Sequence, residues 1–386
     1  MRKNYLPYGK QWLDDEDIQS VLDVLKGDFL TTGPAVSAFE NSVADYVGAK
    51  YAIAFSNGTA ALHGATFAAG IGKGDEVITT PLTFAASANC VRYVDGNIIF
   101  ADIEETTYNI DPIQIEGLIT KNTKAIIPVH FTGQPANLDA IHEIAKKHNL
   151  IVIEDAAHAL GATYRGKKIG SISDMTMFSF HPVKHVTTGE GGIITTNSTE
   201  YYDKLLQFRS HGITRNRKLL KENHGPWYYE MQFLGYNYRM TDIQAALGTS
   251  QMKKLDAFVD KRKEIARAYN EAFDSIDAVI TPKQLNISDS SWHLYILQFK
   301  LDQLSVTRKE IYEELQMRNI GVNVHYIPVH TLPYYQELGY QKGSMPKAEA
   351  LYERIVSLPI FPAMNTQDIQ DVIYAVKDVV EQVRKK

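Results

Sequence analysis

The chain has 386 residues, 44% of them hydrophobic and 22% charged, with a net charge of -5. That length buries a large core and divides into more than one domain, while the charge provides no basic field for nucleic acid. No apolar run reaches the roughly 20 residues that span a bilayer. The start, Met1-Arg2-Lys3-Asn4-Tyr5, leads into no apolar signal core, and the single cysteine, Cys90, excludes an intrachain disulfide or a cysteine metal cluster. A cytoplasmic enzyme with no metal and no membrane attachment is the expectation.

From about residue 50 to 200, short apolar strands alternate with helical patterns. Strands are predicted at Tyr51 to Phe55, Glu76 to Thr80, Ile98 to Ala101, Ala125 to His130, Leu150 to Glu154, Met175 to Phe180 and Gly192 to Thr196. They are apolar on consecutive positions, as in strands covered on both faces. Leu138, Ile141, Ile144 and Ala145 recur at helical spacing between two of them. The alternation predicts an α/β fold, a doubly wound, mostly parallel sheet flanked by helices, whose ligands bind beyond the carboxyl ends of the strands. Thr241 and Gln244 fit a capping box, opening a helix expected to run to about residue 270. A strand at Trp292 to Phe299 and helices at Arg308 to Arg318 and Thr366 to Arg384 follow. The expected division is a large α/β domain over 1–250 and a smaller α+β domain over 251–386.

Five segments carry residues with chemical use. Phe55-Ser56-Asn57-Gly58-Thr59-Ala60 runs from a strand through a small-residue turn into a helix start. Backbone N–H groups there bind phosphate; Gly58 permits close approach and Thr59 adds a hydroxyl, although the same residues make an ordinary turn. Phe84, after a strand end, is either a core aromatic or a plate for a flat ring. Asp155 ends a buried strand, as a helix N-cap or as the partner of a heterocyclic nitrogen. His158, three residues on, touches a ring hydroxyl, orients Asp155 or is a satisfied half-buried histidine. Ser179-Phe180-His181-Pro182-Val183-Lys184 precedes Gly189, Gly191 and Gly192. Alone, Lys184 reads as a solvated surface lysine. Pro182 disfavours helix before it, the glycines admit a ligand, and Ser179 offers the phosphate another hydroxyl. Last, Gly235-Tyr236-Asn237-Tyr238-Arg239-Met240 puts two polar groups on the loop before the capped helix.

A lysine and an acid on neighbouring strand ends are what a pyridoxal phosphate (PLP) enzyme requires. The lysine forms the Schiff base, and the acid keeps the pyridine nitrogen protonated so that the ring acts as an electron sink. Such a lysine must lose its proton to attack an aldehyde, and a desolvated or cation-rich cleft lowers its pKa.

Taken together and in this order, the segments resemble the sugar nucleotide aminotransferases of the DegT/StrS type, a fold-type I PLP family. Leu30-Thr31-Thr32-Gly33-Pro34 near the start and His325-Tyr326-Ile327-Pro328-Val329-His330 near the end extend the likeness over nearly the whole chain. The resemblance implies Lys184 as the aldimine lysine and proton carrier, Asp155 as the pyridinium partner with His158 beside it, Phe84 stacked on the ring, and Gly58, Thr59 and Ser179 on the phosphate. It implies a homodimer in which Asn237 and Arg239 reach the site of the other subunit, and a sugar nucleotide pocket lined by Thr31, His325, Tyr326 and His330. L-Glutamate would leave its amino group on the cofactor as pyridoxamine phosphate, and a nucleotide-linked keto-sugar would take it up. The likeness is greatest to enzymes that aminate C4 of UDP-4-keto-6-deoxy-N-acetylhexosamines, the pseudaminic acid type. Relatives acting on dTDP-linked, bacillosamine- or perosamine-type sugars share nearly all these motifs. A PLP lyase and a non-catalytic homologue are the competing classes. A dehydratase branch, with histidine in place of the lysine, is disfavoured by Lys184.

Overall fold

The computed structural model describes residues 2–385. Seven strands build its central sheet: β1 (Tyr51–Phe55), β2 (Glu76–Thr79), β3 (Asn97–Phe100), β4 (Thr123–Ile127), β5 (Ile151–Asp155), β6 (Met175–Ser179) and β7 (Gly192–Thr196). Their order is β1-β7-β6-β5-β4-β2-β3. All pairs are parallel except those that β7 makes with β1 and β6. Helices cover both faces, which is why the strands are apolar on successive residues. Ile53, Phe55, Ile153, Met175 and Met177 point into one core, and Ala52, Ala54, Phe178 and Ile193 into the other. This is the period-2 alternation of a strand buried on both sides.

The topology gathers three chain segments at one end of the sheet. β6 and β7 form a hairpin that pairs Ser179 with Gly192, so its loop leaves and returns at the carboxyl end of β6. β1 ends opposite the same glycine, Phe55 against Gly192, and feeds the helix Gly58–Ala68, capped by the Asn57 side chain. β5 ends beside them at Asp155.

A second layer holds an antiparallel sheet of Val279–Ile280, Tyr295–Phe299 and Ile355–Leu358. The helices Leu255–Phe273, Arg308–Met317 and Thr366–Val383 share one core with it, around Tyr269, Phe273, Tyr295, Phe299, Ile311 and Val376. Leu6 belongs to this core too. Its N–H donates to Asn319 O at 2.9 Å, and its carbonyl accepts from Gly321 N–H at 2.7 Å. Among the described residues no helix is long and apolar enough to cross a membrane, and no cluster of three potential metal ligands occurs.

Three elements differ from the sequence expectation by more than one residue. The helix opened by the Thr241–Gln244 capping box stops at Met252, and a second runs from Leu255 to Phe273. Neither glycine nor proline marks that break. Lys254 instead turns to the acids opening the helix Asp15–Lys26, contacting Asp14 and lying 3.0 Å from Asp17. The strand expected through His130 stops at Ile127, because Pro128 has no N–H for the ladder. The strand expected from Trp292 starts at Tyr295, since Trp292 is in the left-handed region with φ of 51°.

Beneath β5 lies a buried polar pair. His130 Nδ1 accepts from Ala136 N–H at 3.1 Å, so its ring proton sits on Nε2 and is donated to Glu154 at 2.5 Å. Glu154 also accepts from Thr176 Oγ1 at 3.1 Å and Ser173 N–H at 3.2 Å. Burial opposes its charge, but these donors outweigh that and hold its pKa below the ordinary 4.5. A depressed carboxyl contributes stability above its unfolded pKa and loses it as pH falls through the folded one. Urea unfolding should therefore show stability declining below about pH 4.5, and Glu154→Gln should flatten that decline while lowering stability at pH 7.

Candidate active site

A cavity of about 840 Å³ opens where these three segments meet. Asp155 forms its floor, 5% exposed. Its Oδ2 accepts from Ser87 Oγ at 2.6 Å and its Oδ1 from Ala157 N–H at 3.1 Å. Burial raises its pKa, while Ser87, Ala157 and the Lys184 charge pull the other way. Neither direct contact is charged, so the carboxylate faces the cavity without a cation touching it.

Lys184 enters from the β6–β7 hairpin loop. Its backbone N–H donates to His181 O at 2.9 Å, closing the turn that Pro182 begins. The side chain is only half-covered because it opens onto the cavity, yet protein surrounds the amine closely. Burial lowers its pKa to about 8, with the Arg262 charge adding to the effect and Asp155 opposing it. Lys184 Nζ lies 3.5 Å from His293 Nε2.

Gly58 and Thr59 begin the helix at the cavity's edge. The Asn57 side chain takes the N–H of Ala60 at 2.8 Å, leaving the first amides of the helix to face a ligand. A Cβ on Gly58 would stand 3.3 Å from Ser179 Cβ, which places the β6 hydroxyl beside the helix start. Phe84, 62% exposed, lines the same cavity with its ring centroid 6.2 Å from that of Tyr326. His158 Nε2 is 3.1 Å from Tyr326 Oη, and its buried Nδ1 has no partner. His325 Nδ1 is 2.7 Å from Ser357 Oγ, and burial lowers its pKa to about 3.

Thus Lys184, Asp155, His158, Gly58, Thr59, Phe84, Ser179, His325 and Tyr326 share one cavity. The other four candidates lie outside it. Thr31 is exposed and bridges Thr241. Asn237 is exposed and bridges Ser210. Arg239 lines a separate cavity of about 210 Å³ with Thr32, Gly33 and Arg209. His330 is fully buried, its Nε2 2.9 Å from Glu349 and its ring packed near Phe100. Tyr8 and His293 are among the cavity residues that had no sequence signal strong enough to single them out. Tyr8 arrives on the segment that Leu6 anchors in the second layer, and His293 follows the left-handed Trp292.

The sequence profile of the DegT/DnrJ/EryC1/StrS aminotransferase family matches residues 11–377. The chain belongs to this family. It is therefore a PLP-dependent aminotransferase. Over 98% of its length it is 45% identical to the spore coat polysaccharide biosynthesis protein SpsC of Bacillus subtilis, 98% of which is covered. It is 38% identical to a UDP-4-amino-4,6-dideoxy-N-acetyl-beta-L-altrosamine transaminase of Campylobacter jejuni, over 98% of this chain and 99% of that one. Among solved structures, Helicobacter pylori PseC, an aminotransferase involved in pseudaminic acid biosynthesis, superposes with a TM-score of 0.91. That match has 33% identity over 98% of this chain and all of the other. A Streptococcus pneumoniae protein described as a sugar aminotransferase is solved in PLP and pyridoxamine phosphate forms. Its PLP form matches with a TM-score of 0.91 and 30% identity, over 99% of this chain and all of the other.

The residues present fit the cofactor. A buried carboxylate without a contacting cation suits a protonated ring nitrogen, free helix-start amides beside Ser179 suit a phosphate, and the exposed face of Phe84 suits a flat ring. The fit depends on a close backbone approach at Gly192, where a Cβ would meet Asn57 O at 2.5 Å and Gly58 Cα at 2.7 Å. Gly192→Ala should cost about 1–3 kcal/mol of stability through overpacking and displace the Asn57–Gly58 turn. Urea unfolding reads the first effect, and reduced visible absorbance of PLP at fixed added cofactor reads the second.

Proposed function

We propose that this aminotransferase moves the amino group of L-glutamate to the keto carbon of a nucleotide-linked 4-keto-6-deoxy sugar, with Lys184 as the cofactor lysine. The observation that carries this is the convergence of the Lys184 amine, the uncompensated Asp155 carboxylate and the Gly58–Ser179 cradle in one cavity. When bound, PLP supplies an aldehyde that takes up the amino group and a ring that delocalises electrons from the broken C–H bond. Lys184, with its pKa lowered to about 8, is the neutral amine that would bond the cofactor's aldehyde and, once displaced by the donor's amine, would take up and return the proton of the substrate carbon. Asp155 would keep the ring nitrogen protonated, and Ser87 and Ala157 fix the carboxylate's direction. Gly58, Thr59 and Ser179 would hold the phosphate and Phe84 would cover one ring face, while His158 and Tyr326, 3.1 Å apart, line the same cavity.

A UDP-linked N-acetylhexosamine of the pseudaminic acid type is the preferred acceptor, supported by the Campylobacter and Helicobacter relatives. Tyr8, Asn323, His325 and Tyr326 at the cavity offer polar and aromatic surfaces for a sugar. The higher identity to SpsC favours a second reading, another nucleotide-linked keto-sugar.

The active form is a homodimer with shared sites. Ile18, Leu22, Leu25 and Phe29 make an exposed apolar stripe at helical spacing along and just past the helix Asp15–Lys26, of the kind a second copy covers. Asn237 and Arg239 lie outside their own chain's cavity, as side chains serving a partner's site would. A division into a large and a small domain near residue 250 is supported by the second layer's own core, which Leu6 from the N-terminal segment also joins.

Adding L-glutamate to the PLP-loaded protein should bleach its yellow band, and Lys184→Ala should abolish both that change and turnover, by at least about a hundredfold. Normal turnover in Lys184→Ala would sink the assignment. Uptake of PLP by cofactor-free protein should speed up as pH rises through about 8, because only the neutral amine attacks. Assaying UDP- and dTDP-linked 4-keto sugars side by side separates the two acceptor readings. Mixing Lys184→Ala with Asn237→Ala subunits should restore part of the activity if the sites are shared; two inactive parents that exchange without recovery would count against it.

A further inference from the structure

The wall behind Lys184 contains a charge that this scheme leaves without a role. Arg262, on the helix Leu255–Phe273, is 1% exposed, and its hydrogen-bond partners include no carboxylate. Its guanidinium donates to the carbonyls of Ile360 at 2.7 Å, His293 at 3.1 Å, Trp292 at 3.4 Å and Val183 at 3.5 Å. Its Nε has no partner at all. Enclosing a cation without a counter-ion is costly, and burial lowers even this group's pKa to about 9, which leaves it charged at neutral pH. A core position filled for packing alone would take an apolar side chain of similar size.

Two of those carbonyls belong to residues that frame the Lys184 amine. Val183 precedes Lys184 in the loop, and the His293 ring faces Lys184 Nζ at 3.5 Å. One guanidinium therefore ties the hairpin loop of the large sheet to the second layer. The remaining titratable groups around Lys184 are Asp155 on β5, His158 after it, His181 and His185 in the same loop, and His293, His325 and Tyr326 from the second layer. Burial lowers the pKa of all five histidines, which favours their neutral forms, and keeps Tyr326 protonated. Asp155 and Arg262 are left as the two fixed charges that act on the amine.

We propose that Arg262 is a positioning residue for transamination, whose unpaired buried guanidinium fixes the main chain at Val183, next to Lys184, and at His293, whose ring faces the Lys184 amine, and sets a positive field behind that amine. This rests on reading Lys184 as the lysine that bonds the cofactor. A fixed cation disfavours the ammonium form, so Arg262 works with burial and against Asp155 to keep Lys184 a nucleophile near neutral pH.

Borohydride reduction of the PLP-loaded full-length protein, followed by peptide mapping, tests the underlying reading. Label on another lysine overturns that reading, and the proposal with it. With Lys184 confirmed, the cofactor is released, and acylation of Lys184 by acetic anhydride is followed against pH in wild type, Arg262→Gln and Arg262→Lys. The wild-type midpoint is expected near 8. Arg262→Gln should raise it by about one unit, slowing labelling at pH 7 about tenfold. Arg262→Lys should keep the wild-type midpoint, although both variants melt earlier. Coincident midpoints in wild type and a folded Arg262→Gln overturn the proposal and leave the arginine a support of the loop only. Should Arg262→Gln not fold, a wild-type midpoint near the ordinary 10.5 overturns it, and one near 8 shared by Arg262→Lys supports it.

Discussion

The site hangs on the pairing of β7, laid antiparallel between β1 and β6 in an otherwise parallel sheet. An all-parallel arrangement would carry the chain from the end of β6 away through a crossover. The hairpin instead returns it at once, and its loop stays over the strand ends with Lys184 on it. The same strand brings Gly192 against the turn after β1, so one residue without a side chain sets the distance between the lysine loop and the Asn57–Gly58 turn. Asp155, on the neighbouring β5, is placed by ordinary parallel pairing with β6. Ladder hydrogen bonds thus fix the separation of the two key side chains more firmly than any contact between them.

Electrostatics divides the cavity along the same lines. Asp155 and Lys184 are both partly removed from water, and burial moves their pKa values toward each other, the acid up and the base down. Hydroxyl and amide donors brace the acid, whereas the base meets neutral imidazole and, behind it, a cation. Two groups that would pair simply on a protein surface are kept available for a third party.

Much of this was legible in the residues. Seven apolar runs located the seven strands, because strands covered on both faces leave continuous apolar runs shorter than an ordinary buried helix, and these alternate with helical patterns. Lys184, Asp155, Gly58 and Ser179 sit at strand ends, where the sequence changes abruptly from apolar to small or polar, and the cavity collects all four. Legibility failed where the cause is tertiary. The helix break at Lys253–Lys254 answers to acids more than 230 positions earlier in the chain. Arg262 looks like any arginine on an amphipathic helix, and only the fold reveals four carbonyls around it. His293 follows a residue in a left-handed conformation that tryptophan rarely adopts. His330 sits in the same short motif as His325 and Tyr326, yet the chain turns through Val329–Thr331 and sends its ring to Glu349 instead.

The attachment of Leu6 to Asn319 and Gly321 has a consequence for how the molecule is made. Tyr8, two residues on, lines the cavity, but nothing exists for its segment to pair with until the chain beyond Gly321 has left the ribosome. The central sheet can form much earlier, since its last strand ends at Thr196. During synthesis the strands of the sheet can therefore pair while the pocket is still unfinished, and the earliest residues are among the last to find their place.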